Sequence, residues 1–161
     1  MDSVRWLTAA EQQTWRAYLT SIRLFVHTLD RQLQADSGLS FADYEVLVAL
    51  SEAPGRRMRM RDLAAAALST RSGATRVVTR LEQAGWVRRV DCAEDRRGTE
   101  AELTDAGLAK LAAAAPGHVA AVRAHLFDLF THRQLEQIRA VATRMRDHLR
   151  AGNERAKGNG A

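Results

Sequence analysis

A chain of 161 residues, 46% apolar and 27% charged, is long enough to bury one sizeable core and too apolar to stay disordered. A single cysteine, Cys92, excludes an intrachain disulfide framework, and no apolar run approaches the ~18–20 residues of a membrane-spanning helix. The net charge of +5 lies wholly in the middle: Pro54 to Arg97 holds 11 basic and 5 acidic residues, a net of +6, against −1 elsewhere, which marks a footprint for a polyanion more than evenly solvated faces.

Thr8-Ala9-Ala10-Glu11 has the form of a capping box, so a first helix is expected there. Trp15, Tyr18, Leu19, Ile22, Phe25, Val26, Leu29 and Leu33 recur along it at three- and four-residue steps. Gly38 stops it. Ser40 caps a second helix with Phe41, Tyr44, Leu47, Val48 and Leu50 inward, and Pro54-Gly55 ends that one. Arg57 to Met60 alternates basic and apolar residues, as a short strand does. Arg61 to Ala67 is expected as a short helix, Leu68-Ser69-Thr70 as a tight turn offering caps, and a fourth helix runs to about Ala84 before Gly85.

Trp86 to Val90 reads as a strand and Thr99 to Leu103 as its partner, with the polar stretch Cys92 to Gly98 as the loop between them. Thr104 caps a long helix through Leu108, Leu111, Val119, Val122, Leu126 and Phe130, kinked at Pro116-Gly117. Thr131 to Gln134 is a second capping box, opening a last helix with Leu135, Ile138, Val141, Met145 and Leu149 inward. The tail, about 152–161, is expected to be disordered. The polar N-terminus predicts no secretory leader, and with the lone cysteine it predicts a cytoplasmic protein.

A short helix, a tight turn, a second helix and a hairpin form a winged helix-turn-helix, whose second helix enters the major groove. At about 100° per residue, Ala74, Val77, Val78 and Leu81 fall on one side of that helix, the core face. Ser69, Ser72, Arg76, Thr79 and Gln83 lie opposite, flanked by Thr75 and Arg80, with no acid and no large apolar group among them. These side chains bond base edges and phosphates. The helix N-terminus enters deepest, so Ser69, Thr70, Arg71, Ser72, Thr75 and Arg76 are the candidate contacts, while Arg80 is expected to grip the DNA backbone. At the hairpin tip, Arg96 and Arg97 suit the negative potential of a narrow minor groove, Gly98 allows a sharp turn, and Asp95 suits a charge-assisted bond to an arginine.

On these residues the chain resembles the MarR family of bacterial transcriptional regulators. The family's wing pattern is kept in Asp95, Arg97, Leu103, Thr104 and Gly107, and its upstream pattern in Thr75-Arg76 and Leu81-Glu82-Gln83-Ala84-Gly85-Trp86-Val87. The order of elements matches from about Thr8 to Arg150. The resemblance implies a mainly α fold with a small β-hairpin wing, in a single domain over 1–161. A winged helix-turn-helix lobe would occupy about 40–103, with dimerisation helices at about 8–36 and 104–150. It also implies an obligate homodimer joined through the first helix and the last two, a pseudo-palindromic operator in double-stranded DNA, and in most members repression. In many members a small aromatic or phenolic acid, bound between the dimerisation and DNA-binding parts, releases the DNA. In the family the wing Asp pairs with a nearby Arg and the wing Arg reaches DNA. That carries over to Asp95 and Arg97, with the partner of Asp95 open between Arg71, Arg76 and Arg97. Symmetry argues for a dimer independently, because one recognition helix reads too few base pairs to be selective, and two copies one DNA turn apart define a palindrome.

Aromatic walls with cationic groups suit an aromatic anion, so Trp15, Tyr18, Arg23 and His27 on the first helix and Tyr44 on the second are candidate ligand residues. The pocket is expected between the first helix, the second and the start of the fifth. The plainer reading makes Trp15 and Tyr18 core and the arginine solvated. His118 and His125 share a helix face, but no Cys-x-x-Cys or His-x-x-x-His pair occurs, so neither a metal nor a cofactor is expected. No nucleophile–base–acid set or Gly-rich phosphate loop is visible, which argues against an enzyme. Two alternatives remain: a regulator of the same fold switched by oxidation of Cys92, and a winged-helix module that binds protein rather than DNA. Arg71, Arg76, Arg96 and Arg97 argue against the second.

Overall fold

The computed structural model describes residues 4–67, 70–92 and 95–158, apart from the side chains of Arg71, Cys92, Asp95, Arg96, Arg97 and 153–158. The chain forms two compact units, Met1–Ala121 and Val122–Ala161. The first holds α1 (Ala9–Ser37), α2 (Phe41–Glu52), a short 3-10 turn (Pro54–Arg56), β1 (Arg57–Arg59), α3 (Met60–Ala66), α4 (Arg71–Gln83), β2 (Val87–Cys92), β3 (Asp95–Leu103) and most of α5 (Asp105–His125). The second holds the end of α5, a 3-10 turn (Phe127–Leu129) and α6 (His132–Gly158).

Local chemistry sets the element ends. Thr8 caps α1 in a full capping box with Glu11, and Ser40 caps α2 in one with Asp43. Gly38 closes α1 in the left-handed region, at φ 67°. Thr131 and Gln134 form the reciprocal bonds expected at the start of α6. The α5 helix runs unbroken past Pro116 and stops at His125, short of the expected Phe130. The α6 helix continues past Gly152 to Gly158, where a disordered tail was expected; each residue added to a formed helix brings one more backbone hydrogen bond.

The sheet is antiparallel in the order β1-β3-β2. Its far end departs from the expected loop. The pairing steps from Asp91↔Thr99 directly to Cys92↔Asp95, so the strand begins at Asp95 instead of Thr99. Arg96, Arg97 and Gly98 therefore lie on the β3 arm, within a register irregularity, and not at the tip of the turn. A bulge of this kind re-aims side chains, and glycine is common in one.

The core of the first unit gathers Leu33, Leu39, Val46, Leu47, Leu50, Leu63, Val78, Leu81, Val87, Leu103 and Leu111. From α1 Leu33 joins it, and Leu29 one turn earlier is buried as well. Trp15, Ile22 and Leu24 stay exposed, at 52%, 42% and 61%. In the second unit Ile138, Val141, Met145 and Leu149, expected inward, are exposed as well. Both apolar stripes have the predicted helical spacing, yet much of each stays exposed. No helix among the described residues is long and apolar enough to cross a membrane.

Candidate nucleic-acid interface and cleft

The helix expected to act as the recognition helix is α4. Ala74, Val78 and Leu81 are buried and Val77 is half-buried, which is the core face expected from spacing. Thr70 caps the helix, its Oγ1 accepting from the Gly73 amide at 3.0 Å and lying 3.1 Å from Ser72 Oγ. Ser72, Thr75 and Arg76 are exposed on the outer side. Ser69 lies outside the described residues, as do the side chains of Arg71, Asp95, Arg96 and Arg97, and with them the question of which arginine Asp95 meets. Thr79, placed outward by spacing, is half-buried, and its hydroxyl accepts from Arg89 Nη2 at 2.8 Å.

Two charged clasps orient α4. For Arg80, expected on the DNA backbone, the structure supplies an intramolecular partner. Its Nε and Nη2 donate to Asp43 Oδ1 at 3.0 and 2.6 Å, and Nη2 also reaches Ser40 Oγ at 3.3 Å. Asp43 is 4% exposed and is the one buried charged residue among those described. Its Oδ2 accepts from the Ser40 amide and hydroxyl, while Asp30 on α1 accepts from the Phe41 amide at 2.7 Å. One carboxylate thus caps α2 and anchors α4. On the other side Glu82 accepts from the Arg89 amide at 3.2 Å and from Nη1 at 2.6 Å, tying α4 to β2. Sequence reasoning missed Asp43, Glu82 and Arg89 as functional residues. The signals were present, since Asp43 stands three residues after the Ser40 cap and Glu82 sits in the quoted family pattern.

Across the sheet, Glu102 on β3 takes Arg88 from β2 at 2.8 and 2.9 Å and Arg57 from β1 at 3.2 Å. The hydrogen bond from Arg88 is the main reason Glu102 is held below the ordinary carboxylate range, with Arg57 adding to it, and the same bond raises Arg88. Arg56 pairs with Asp105 at 2.9 Å and Arg61 with Asp62 at 3.3 Å. Most of the described arginine side chains of the middle segment are therefore committed to intrachain pairs. Among the described side chains of that segment, Arg76 is exposed and has no ion pair, and it projects from the outer face of α4.

Behind the sheet a cleft of about 790 Å³ is lined by Phe41, Tyr44, Glu45 and Val48 of α2, by Arg57, Met58 and Arg59 of β1, and by Asp62, Glu100 and His118 from other elements. Of the residues expected around a ligand, Tyr44 alone lines it. Trp15, Tyr18, Arg23 and His27 lie on the exposed part of α1 and do not, because that stretch of helix extends beyond the core. His118 packs against Tyr44 and Phe41 with tilted rings, centroids 4.3 and 6.2 Å apart. Among the described residues its buried Nδ1 has no hydrogen-bond partner. No group of three His, Cys, Asp or Glu among the described residues could hold a metal ion.

Burial keeps the His118 imidazole below its ordinary value of 6.5. The unfolded chain takes up that proton near pH 6.5 and the folded chain only at lower pH, so between the two values the unfolded state binds more protons. Stability is expected to fall as the pH drops below 6.5 and to level off below the folded value. His118→Gln should lose that component, and thermal melts of both proteins between about pH 7.5 and about pH 5 read the difference. Equal pH slopes would contradict the assignment.

Comparison with known proteins agrees with this geometry. Residues 37–98 match the model of the MarR family. AbsC, a MarR family transcriptional regulator from Streptomyces coelicolor, is 44% identical, with a TM-score of 0.86 over 92% of this chain and 99% of that one. Sco3205, a MarR family transcriptional regulator of the same organism whose structure is a complex with DNA, is 46% identical, with a TM-score of 0.88 over 92% and 93%. The HTH-type transcriptional regulator PecS of Dickeya dadantii (strain 3937) is 37% identical over 70 residues, and that match spans 42% of its length.

Proposed function

Because the chain belongs to the MarR family of DNA-binding, non-enzymatic transcriptional regulators, we propose that it acts as a homodimeric repressor of a pseudo-palindromic operator and releases DNA when a small aromatic ligand occupies the cleft. The observation that carries the DNA-binding part is the outer face of α4. It holds Ser72, Thr75 and the unpaired Arg76, behind a core face that fixes its direction. Sco3205, similar in sequence and shape, has been solved in complex with DNA, which supports DNA as the partner of this chain. Exposed apolar side chains on α1 and on α6, each at helical spacing, support a second copy as the partner that covers them. The release step rests on the cleft, whose walls come from α2, β1 and β3. A ligand there would bias the position of α2, and through Asp43 and Arg80 that of α4.

Genomic-fragment selection with the purified protein at two salt concentrations tests this reading, with Arg76→Ala and Arg97→Ala alongside. The expected result is a recovered pseudo-palindrome bound with a steep salt slope. Arg76→Ala should cost about 1–3 kcal/mol if it meets a base, or lower the salt slope by about one if it meets a phosphate. Failure to recover any site, or binding by both variants equal to wild type on every fragment, would refute the α4 and wing assignment.

A further inference from the structure

The charge of the cleft is opposite to the one an aromatic acid requires. Its lining carries four carboxylates, from Glu45, Glu52, Asp62 and Glu100, against two arginines. Arg57 is bonded to Glu102 at 3.2 Å, and Arg59 has an interaction of its own. Both arginines of the lining thus already have a partner. By contrast, Glu45, Glu52 and Glu100 have no hydrogen-bond or ion-pair partner among the described residues. His118 presents a ring whose buried Nδ1 is unpartnered. Phe41 and Tyr44 add aromatic surface beside it, and Val48, Ala49, Met58 and Ala66 make the rest of the wall apolar.

We infer that this cleft selects an aromatic or heteroaromatic amine, bound as the cation, over an aromatic carboxylate. This rests on the reading of the cleft as the ligand site. The apolar and aromatic walls would take the ring system, and an ammonium gains from the faces of Tyr44 and Phe41 as well as from the carboxylates. A bound cation would also relieve Glu45, whose carboxyl is pushed up by burial and so lacks compensation for its charge. Burial disfavours the charged form of His118, and a neutral ring can accept a hydrogen bond from an ammonium. A carboxylate ligand would instead meet uncompensated like charge in a partly desolvated space, which is costly.

The test uses the full chain and two probes of matched size, 2-naphthylmethylamine and 2-naphthoate, titrated by calorimetry. Release of the selected operator fragment is followed separately by anisotropy. The expected result is a preference for the amine of about tenfold or more, reduced to near parity in Glu45→Gln/Glu52→Gln. Glu100→Gln provides an independent carboxylate removal should the double variant melt early, and it should also narrow the preference. Tighter binding of the naphthoate, no saturable binding of either probe, or a preference unchanged by carboxylate removal would each overturn the inference. If the amine binds selectively but leaves the operator bound, charge selection stands and the ligand-release reading of the cleft fails.

Discussion

Gly107→Ala is expected to lower the thermal midpoint by roughly 6–12 °C, corresponding to about 3 kcal/mol. A Cβ at Gly107 would stand 2.1 Å from the Trp86 carbonyl oxygen, 2.9 Å from its carbonyl carbon and 2.7 Å from Leu103 Cδ1. The two nearest backbone atoms cannot escape by a change of rotamer, so the first turn of α5 or the Gly85–Trp86 turn must move. Both are held at that point: Thr104 Oγ1 donates to the Gly85 carbonyl at 2.8 Å and accepts from the Gly107 amide at 3.0 Å, and the Thr104 amide donates to the Trp86 carbonyl at 3.1 Å. Trp86 directly precedes β2, so displacement there is expected to propagate into the wing and weaken DNA binding too. Gly152 provides the contrast. It sits inside α6 with nothing near its Cβ position, and Gly152→Ala should raise stability by about 0.5–1 kcal/mol through helix propensity. Melting curves for the two variants check both signs. A Gly107→Ala protein that melts with the wild type would show that the close approach is not required.

The second large effect is expected at Asp43. Asp43→Ala removes the acceptor for four hydrogen bonds, two from Arg80 and two from Ser40, and should cost about 2–3 kcal/mol. The figure is below that for a fully buried pair because the Arg80 side chain is 54% exposed and regains water when released. Arg80→Ala leaves the carboxylate buried without its counter-charge, so it too should lower stability. A double-mutant cycle between the two positions should return a coupling of about 1 kcal/mol or more. Were Arg80 only a grip on the DNA backbone, Arg80→Ala would weaken operator binding and leave the melting point unchanged. Urea denaturation of the free protein together with operator titration separates these outcomes.

The wing illustrates how far sequence reading reached. Two strands and their order were legible from alternation, and the Asp95-x-Arg97 pattern pointed to the right hairpin. The register was not. It depends on which amides and carbonyls face each other across the strands, and Gly98 alone does not fix the step from Asp91↔Thr99 to Cys92↔Asp95. The cleft shows a different gap. Tyr44 was found because it is an aromatic residue on a helix that had to be near the site. Trp15, Tyr18, Arg23 and His27 share a helix with core residues but sit on turns that the core does not reach, and helical periodicity carries no information about where along a stripe burial ends.

The sequence by itself determined the elements, their caps and the inward face of α4. Those depend on interactions between residues three or four apart: Thr8 with Glu11, Ser40 with Asp43, and Ala74 with Val78 and Leu81. It also carried the motifs that identify the family, since the wing and recognition-helix spacings are local. Only the tertiary structure decided which positive charges remain available. Arg80 meets an aspartate 37 positions away and Arg57 a glutamate 45 positions away, so most of the described arginines counted along the middle segment are paired in space. Charge pairing follows distance through the fold, and distance is what a one-dimensional pattern does not contain.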